Sequence, residues 1–197
     1  MNRYHQRLCQ SPGWAAFVAD SLLPFALDGV PLGDRVLELG PGYGASTRPL
    51  AGRAGSLTAL ESDQKLAQRL RERLGDSVTV VDGDAARMTF GPATFTAVVC
   101  FTMLHHLPSR AAQDRLFAEA ARVLQPGGVF AGTDSQPSLR FRLIHLADTC
   151  HPVDPGPLPG RLAAAGFSRI QVSTRPGAVR FVAYANGNRP ASQEDSQ

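Results

Sequence analysis

Lysine is almost missing from this chain: Lys65 is the only one among 20 basic side chains in 197 residues, the other 19 being arginine. With no Gly-Lys-Ser or Gly-Lys-Thr step, the phosphate-cradling loop of nucleoside triphosphate enzymes is excluded. Cysteine is scarce too. Cys9, Cys100 and Cys150 are scattered, odd in number and lack Cys-x-x-Cys spacing, which argues against a disulfide framework and a zinc site of that kind. No apolar run approaches the roughly 18 residues of a membrane span, and Arg3, His5 and Arg7 precede a polar stretch where a secretory leader would place an apolar core. The expectation is a cytoplasmic protein without a membrane span. Charge of one sign is in short supply as well. Residues 1–134 carry 13 basic and 13 acidic groups, whereas 135–185 carry six arginines against Asp148 and Asp154. That local excess reads either as solvated arginines or as a face for a mildly acidic acceptor. It is weaker than a nucleic-acid footprint, and no nucleic acid is expected as partner.

What is present begins at residues 36–44, Val-Leu-Glu-Leu-Gly-Pro-Gly-Tyr-Gly. An apolar strand runs through an acidic residue into three alternating glycines. Glycine turns the chain sharply and lets backbone touch a ligand, since it has no Cβ and tolerates positive φ. Glu38 suits hydroxyls or a cation better than phosphate, so the spacing points to a nucleoside-like or positively charged guest.

The length fits one domain, taken as residues 1–185 with a disordered tail over 186–197. Trp14, Phe17, Val18, Leu22 and Phe25 recur at helical spacing behind Ser11-Pro12, which predicts a capping helix over 12–27. Short apolar runs follow at Arg35–Leu39, Leu57–Leu60, Val78–Val81, Thr96–Phe101 and Gly128–Thr133, separated by segments of helical period. Ser62 and Ser109 are placed as N-caps, Gly75 and the Gln125-Pro126-Gly127-Gly128 step as stops. Residues 137–150 read as an inserted helix within a substrate-side segment, 135–160. Ile170–Thr174 and Arg180–Ala185 joined through Pro176-Gly177 read as an antiparallel hairpin. The fold class is α/β: a Rossmann-like, doubly wound, mostly parallel seven-stranded sheet closed by that hairpin.

In such a sheet ligands bind at the carboxyl ends of the strands. Here those ends carry Glu38, Glu61, the Asp82-Gly83-Asp84 step and Phe101-Thr102-Met103-Leu104-His105-His106. A dinucleotide fingerprint competes, because Gly40-x-Gly42-x-x-Ala45 is followed by Glu61 19 residues past its middle glycine. Glu38 counts against pyrophosphate at that turn. Taken together, Val36–Gly44, Ala59-Leu-Glu-Ser62, Asp82-Gly-Asp-Ala85, Met103-Leu-His-His-Leu107 and Arg122-Val-Leu-Gln-Pro-Gly-Gly128 resemble the class I S-adenosylmethionine-dependent methyltransferases. The likeness is to the small type 11 group that includes ubiquinone- and menaquinone-biosynthesis-like enzymes. It covers about residues 34–135 and extends weakly through the hairpin. It implies that Glu38 and the Gly40–Gly44 backbone, with Leu39, Pro41, Gly42 and Gly44, hold the methionine part of S-adenosylmethionine. Glu61, beside Ser62, would accept from the ribose hydroxyls. Asp84 with Gly83 and Ala85 would read the adenine edge, and Phe101 would lie along the cofactor.

Methyl transfer from a sulfonium needs an in-line lone pair, held close in the absence of water, and demands no metal. Asp134, His105 and His106 are the candidates for a base. As adjacent residues the two histidines diverge too far for a two-ligand clamp, so no metal site is expected. The residues after the fourth strand, Cys100-Phe-Thr-Met103, are not the Asn- or Asp-Pro-Pro-aromatic motif of enzymes that methylate base amines. Phe141, Leu143, Ile144 and Leu146 favour a small or lipophilic acceptor. The rival readings are a NAD-dependent oxidoreductase and a non-catalytic cofactor-binding member of the same fold. Monomer and homodimer, and an O-, C-, N- or S-acceptor, stay open.

Overall fold

The structure is a computed structural model and describes residues 2–186 apart from 138–140, 142, 144, 146 and 147. Seven strands form one sheet in the order β3-β2-β1-β4-β5-β7-β6. They are β1 Arg35–Leu39, β2 Ser56–Glu61, β3 Thr79–Asp82, β4 Phe95–Phe101, β5 Leu124–Ser135, β6 Phe167–Arg175 and β7 Ala178–Ala185. The first five run parallel, while β7 is antiparallel to both β5 and β6. The expected fold class is therefore the observed one. Strand order reverses between β1 and β4, and at such a switch point a crevice opens beyond the carboxyl ends.

The side-chain alternation of the strands sorts the apolar residues into two cores. Leu37, Leu39, Val98, Cys100, Phe130 and Phe181 pack on one face beneath Leu116, Phe117, Ala120 and Val123 of α6 (Arg110–Val123) and Leu158 and Leu162 of α7 (Leu158–Ala164). Val36, Ala59, Ala97, Val99, Phe101 and Ala131 face the other way. Their covers are Leu22 to Leu27, Leu50 of α4 (Thr47–Ala51), and Ala67 and Leu70 of α5 (Gln64–Leu74). Glu38, two residues after Val36, shares this second face.

The N-terminal region is more articulated than one helix over 12–27. It comprises α1 Arg3–Cys9, α2 Pro12–Phe17, a π turn at Val18–Leu22 and α3 Leu23–Leu27. Pro24 explains the break, since it lacks an N–H and crowds the carbonyl four residues back. The ladder shifts instead, and Leu23 N–H donates to the Val18 carbonyl. Ser11 does cap α2, accepting from Trp14 N–H at 3.1 Å. Asp63, not Ser62, caps α5, accepting from Lys65 and Leu66 N–H at 2.9 and 3.2 Å. Gly75 ends α5 at φ 54°. Strand β5 starts at Leu124, earlier than expected. Leu124 pairs with Phe95, and the Gln-Pro-Gly-Gly step is absorbed as a bulge in the β4–β5 register, not a turn. Of the inserted helix over 137–150, Phe141 and Leu143 are helical and most of the rest lies outside the described residues, as does the tail from 187.

The arginine excess of 135–185 is largely engaged within the molecule. Arg180 donates to the Ala26 and Asp28 carbonyls at 3.3 and 2.7 Å, at the C-terminus of α3. Arg175 donates to Ser21 and lies 4.1 Å over the Phe25 ring. Arg161 pairs with Asp114, and Arg169 covers Tyr184. The hairpin thus holds the N-terminal helices. No helix among the described residues is long and apolar enough to cross a membrane.

Gly132 and Gly177 separate two costs of adding a methyl group. A Cβ at Gly132, opposite Cys100 and Phe181 in the sheet, collides with the Cys100 backbone carbonyl. At Gly177, φ 80°, a Cβ meets nothing within 4 Å. In urea unfolding, Gly132→Ala is expected to cost about 2–3 kcal/mol or more from overpacking against backbone. Gly177→Ala should cost about 1 kcal/mol from its left-handed conformation alone.

Candidate cofactor and acceptor site

Strand β1 ends in a turn where Gly40, Gly42 and Gly44 all hold positive φ, 64°, 57° and 79°. Two interactions fix its path: Gly40 N–H donates to the Leu60 carbonyl and Gly44 N–H to the Pro41 carbonyl, both at 2.9 Å. A Cβ on Gly40 would press on Met103 and one on Gly44 would strike Leu70, whereas one on Gly42 would meet nothing within 4 Å. Gly42 is therefore where backbone faces open space.

Glu61, at the end of β2, closes the turn from the side. One carboxylate oxygen accepts from Gly42 N–H at 2.9 Å and the other from Asp63 N–H at 3.0 Å. An ionised carboxylate offers about four lone-pair sites, so two remain for a diol. Glu38 lies deeper. It is 1% exposed, one oxygen accepts from the Ser46 hydroxyl, and the other, Oε2, has no hydrogen-bond partner among the described residues. Burial pushes its carboxyl up to about 7 against the lowering effect of Ser46, and the Glu61 charge adds to the rise. A buried acceptor left unpaired is costly, and a cationic guest would relieve that cost.

A cavity of about 460 Å³ opens over the turn. Gly40, Pro41, Gly42, Ser46, Glu61, Ser62 and Phe101 line one side; His5, Trp14, Val18, His105, His106, Phe141 and His145 are also on its wall. Gly44 lines a neighbouring hollow with Cys9, Arg48 and Arg73. Leu39 is fully buried in the core, leaving only its main chain at the turn. Gly83, Asp84 and Ala85 are not among the residues lining the 460 Å³ cavity. Gly83 N–H donates to the Glu61 carbonyl, Asp84 accepts from Ala86 N–H at 2.8 Å, and Ala85 packs in the core.

Asp134 is turned away from the cavity. It is 1% exposed and accepts from His105 N–H, His105 Nδ1 and Ser135 N–H at 3.2, 2.5 and 2.6 Å. Its partner His105 does line the cavity. Burial, with the neighbouring rings, pushes the His106 imidazole down to about 3. Sequence reasoning missed His5, Ser46 and Trp14 as wall residues. Only the folded chain brings α1 and α2 across the carboxyl edge of the sheet, and a lone histidine in a helix gives no local signal of that.

Residues 37–132 match the family model described as a methyltransferase domain. Among curated proteins, the chain is 34% identical over 135 residues to the probable ribosomal RNA small subunit methyltransferase A of Pyrobaculum aerophilum, covering 64% of this chain and 55% of that one. It thus spans about half the length of that relative. Among solved structures, a chain of the complex containing the Haloferax volcanii Trm112 methyltransferase activator superposes with a TM-score of 0.72 at 16% identity, over 94% of this chain and 99% of that one. Phosphoethanolamine N-methyltransferase 2 of Haemonchus contortus, solved with S-adenosyl-L-methionine, gives 0.71 at 15%, over 94% and 60%. This chain carries a methyltransferase domain over residues 37–132 and is similar to the class I S-adenosylmethionine-dependent methyltransferases. S-adenosylmethionine is the cofactor of that class, and the residues present fit it. The unpaired Glu38 oxygen, the open face of Gly42 and the spare acceptor capacity of Glu61 are what a cation, a close-lying thioether and a ribose require.

The raised Glu38 carboxyl makes stability depend on pH. The folded chain holds this proton more tightly than the unfolded chain, so stability is greatest below the ordinary carboxylate value and falls as pH climbs from about 4.5 to about 7. In the ligand-free protein this slope amounts to about 3 kcal/mol at most, from the size of the rise. Glu38→Gln should flatten it in denaturant titrations at pH 5 and pH 8; an unchanged slope would assign the effect elsewhere.

Proposed function

We propose that this chain transfers a methyl group from S-adenosylmethionine to a small or lipophilic acceptor. The observation that carries the reading is the composition of the 460 Å³ cavity. The glycine turn and Glu61 form one side, while Trp14, Val18 and Phe141 provide apolar wall and the histidines provide polar groups. Such a mix, mostly apolar with a few convergent polar groups, is typical of small-ligand sites.

Bound cofactor supplies an electrophilic methyl on a sulfonium. Glu61 would hold the ribose hydroxyls, the Gly40–Gly44 backbone the methionine portion, and Glu38 would balance the positive charge from beneath the turn. Asp84 and the backbone of Ala85 would contact adenine just past the carboxyl end of β3. Enclosure by α1, α2 and the segment around Phe141 excludes water and keeps the acceptor's lone pair in line with the methyl carbon. For an acceptor with an acidic proton, the His105 ring, oriented by Asp134, is the polar group positioned to take it. His106, its imidazole depressed by burial, is a poor base.

The curated relatives include proteins named as ribosomal RNA methyltransferases, which makes a base amine the second reading. Against it stand the residues following β4, Phe101-Thr102-Met103, which offer no amide or carboxylate side chain to an exocyclic amine. The arginines of the hairpin are also engaged with α3 and its neighbours.

Glu61→Ala should weaken S-adenosylmethionine binding by about 1.5–3 kcal/mol, the scale of hydrogen bonds to a charged acceptor, as measured by calorimetric titration. An unchanged dissociation constant would remove the ribose assignment, and binding of NAD in place of S-adenosylmethionine would remove the methyltransferase reading. A radiolabelled methyl-transfer screen over metabolite pools and over ribosomal RNA should label the small-molecule fraction. Label confined to RNA would favour the second reading, and none in either the non-catalytic one.

A further inference from the structure

Three imidazoles from distant parts of the chain meet in the cavity. His5 comes from α1, His106 from the single 3-10 turn after β4, and His145 from the segment following β5, and one nitrogen of each lies within 4.8 Å of the others. We propose that His5, His106 and His145 bind a divalent transition-metal ion of the zinc class.

The second partners of the rings support the assignment. His145 Nδ1 lies 2.8 Å from the Phe141 carbonyl oxygen, which can only accept, so Nδ1 carries the proton and Nε2 presents its lone pair. His5 Nδ1 lies 3.2 Å from Asp148 Oδ2, which pins that ring in the same way. A carbonyl or carboxylate behind the far nitrogen is how metal-binding histidines are oriented. The His106 ring makes no hydrogen bond to the described residues, so it too has a nitrogen to offer.

His105 adds an independent sign. Its Nδ1 faces the Asp134 carboxylate at 2.5 Å, and its Nε2 lies 3.1 Å from His145 Nε2. With both Nδ1 protons committed, the two Nε2 lone pairs face one another unless a proton or a metal ion lies between the rings. The carboxylates of Asp134 and Asp148, 0% and 5% exposed, stand behind the His105 and His5 rings. Closing separations of up to 4.8 Å by at most about 1.5 Å reaches the roughly 3.3 Å implied by metal–nitrogen bonds of about 2.0–2.1 Å in a tetrahedral site. Adjacent histidines diverge, and the expectation of no metal site followed from that pair alone. Here the pair contributes one ligand, and two others arrive from elsewhere.

Three histidines leave a fourth position, and the cavity they line is the one that Gly42 and Glu61 also line. That is the open arrangement of catalytic zinc, not the closed one of structural zinc. The site stands apart from the methyl-transfer reading, but its role rests on it: a metal there would lower the pKa of a bound hydroxyl or thiol, which narrows the acceptor to molecules carrying one.

The test uses the full chain stripped with a chelator, then titrated with Co²⁺ and competed with Zn²⁺. A single equivalent of Co²⁺ with the intense visible bands of a four-coordinate site, displaced by Zn²⁺, is expected. His5→Ala and His145→Ala, and His106→Asn as a milder change checked for folding by circular dichroism, should each weaken Zn²⁺ binding about tenfold or more. Cys9→Ser, a cavity neighbour outside the ligand set, should leave it unchanged. Absence of saturable binding to the unmutated chain, binding that survives all three histidine changes, or binding lost with Cys9 would overturn the site. S-adenosylmethionine titrated into the same samples reports on the cofactor reading separately, since its proposed contacts do not include these histidines.

Discussion

The carboxylate of Glu61 is the tie on which the site depends. Its two oxygens bind the main chain of two elements, Gly42 in the turn after β1 and Asp63 at the head of α5. The parallel register that sets Leu39 beside Leu60 brings the strand ends level. Without that alignment Glu61 could not reach the glycine turn. The same side chain therefore shapes the empty loop and keeps acceptor capacity for what enters it.

Much of this was legible in the sequence because it is local. The glycines announce positive φ at 40, 42 and 44, the alternation of β1 and β4 divides two cores, and Glu61 follows its strand directly. Errors arose where two neighbours compete for one task or where backbone chemistry overrides periodicity. Ser62 and Asp63 both suit an N-cap, and the structure gives the task to Asp63, one residue further on. The 12–27 pattern has helical spacing throughout, yet Pro24 forces a π turn that spacing alone does not reveal. Leu124 extends β5 because a bulge accommodates Pro126 and its glycines.

The acceptor side was harder to read, since its residues are brought together only by tertiary structure. Asp134 sits at the expected strand end, but its carboxylate is engaged by His105 and the Ser135 backbone and does not line the cavity. His5 and His145 are separated by 140 positions in sequence, yet their rings stand 4.5 Å apart in an edge-on contact. Nothing in either local segment encodes that meeting. It follows from α1 crossing the sheet edge, a consequence of how the N-terminal helices are held.

Those helices are held from the opposite end of the chain. Arg175 and Arg180, on the last two strands, grip Ser21, Ala26 and Asp28 through side-chain-to-backbone bonds that rank among the longest-range in the sequence. The hairpin thus works as a latch for the lid: whatever loosens the sheet's far margin also unseats the cover of the pocket. The elements that wall the pocket are in this way anchored by residues that do not line it.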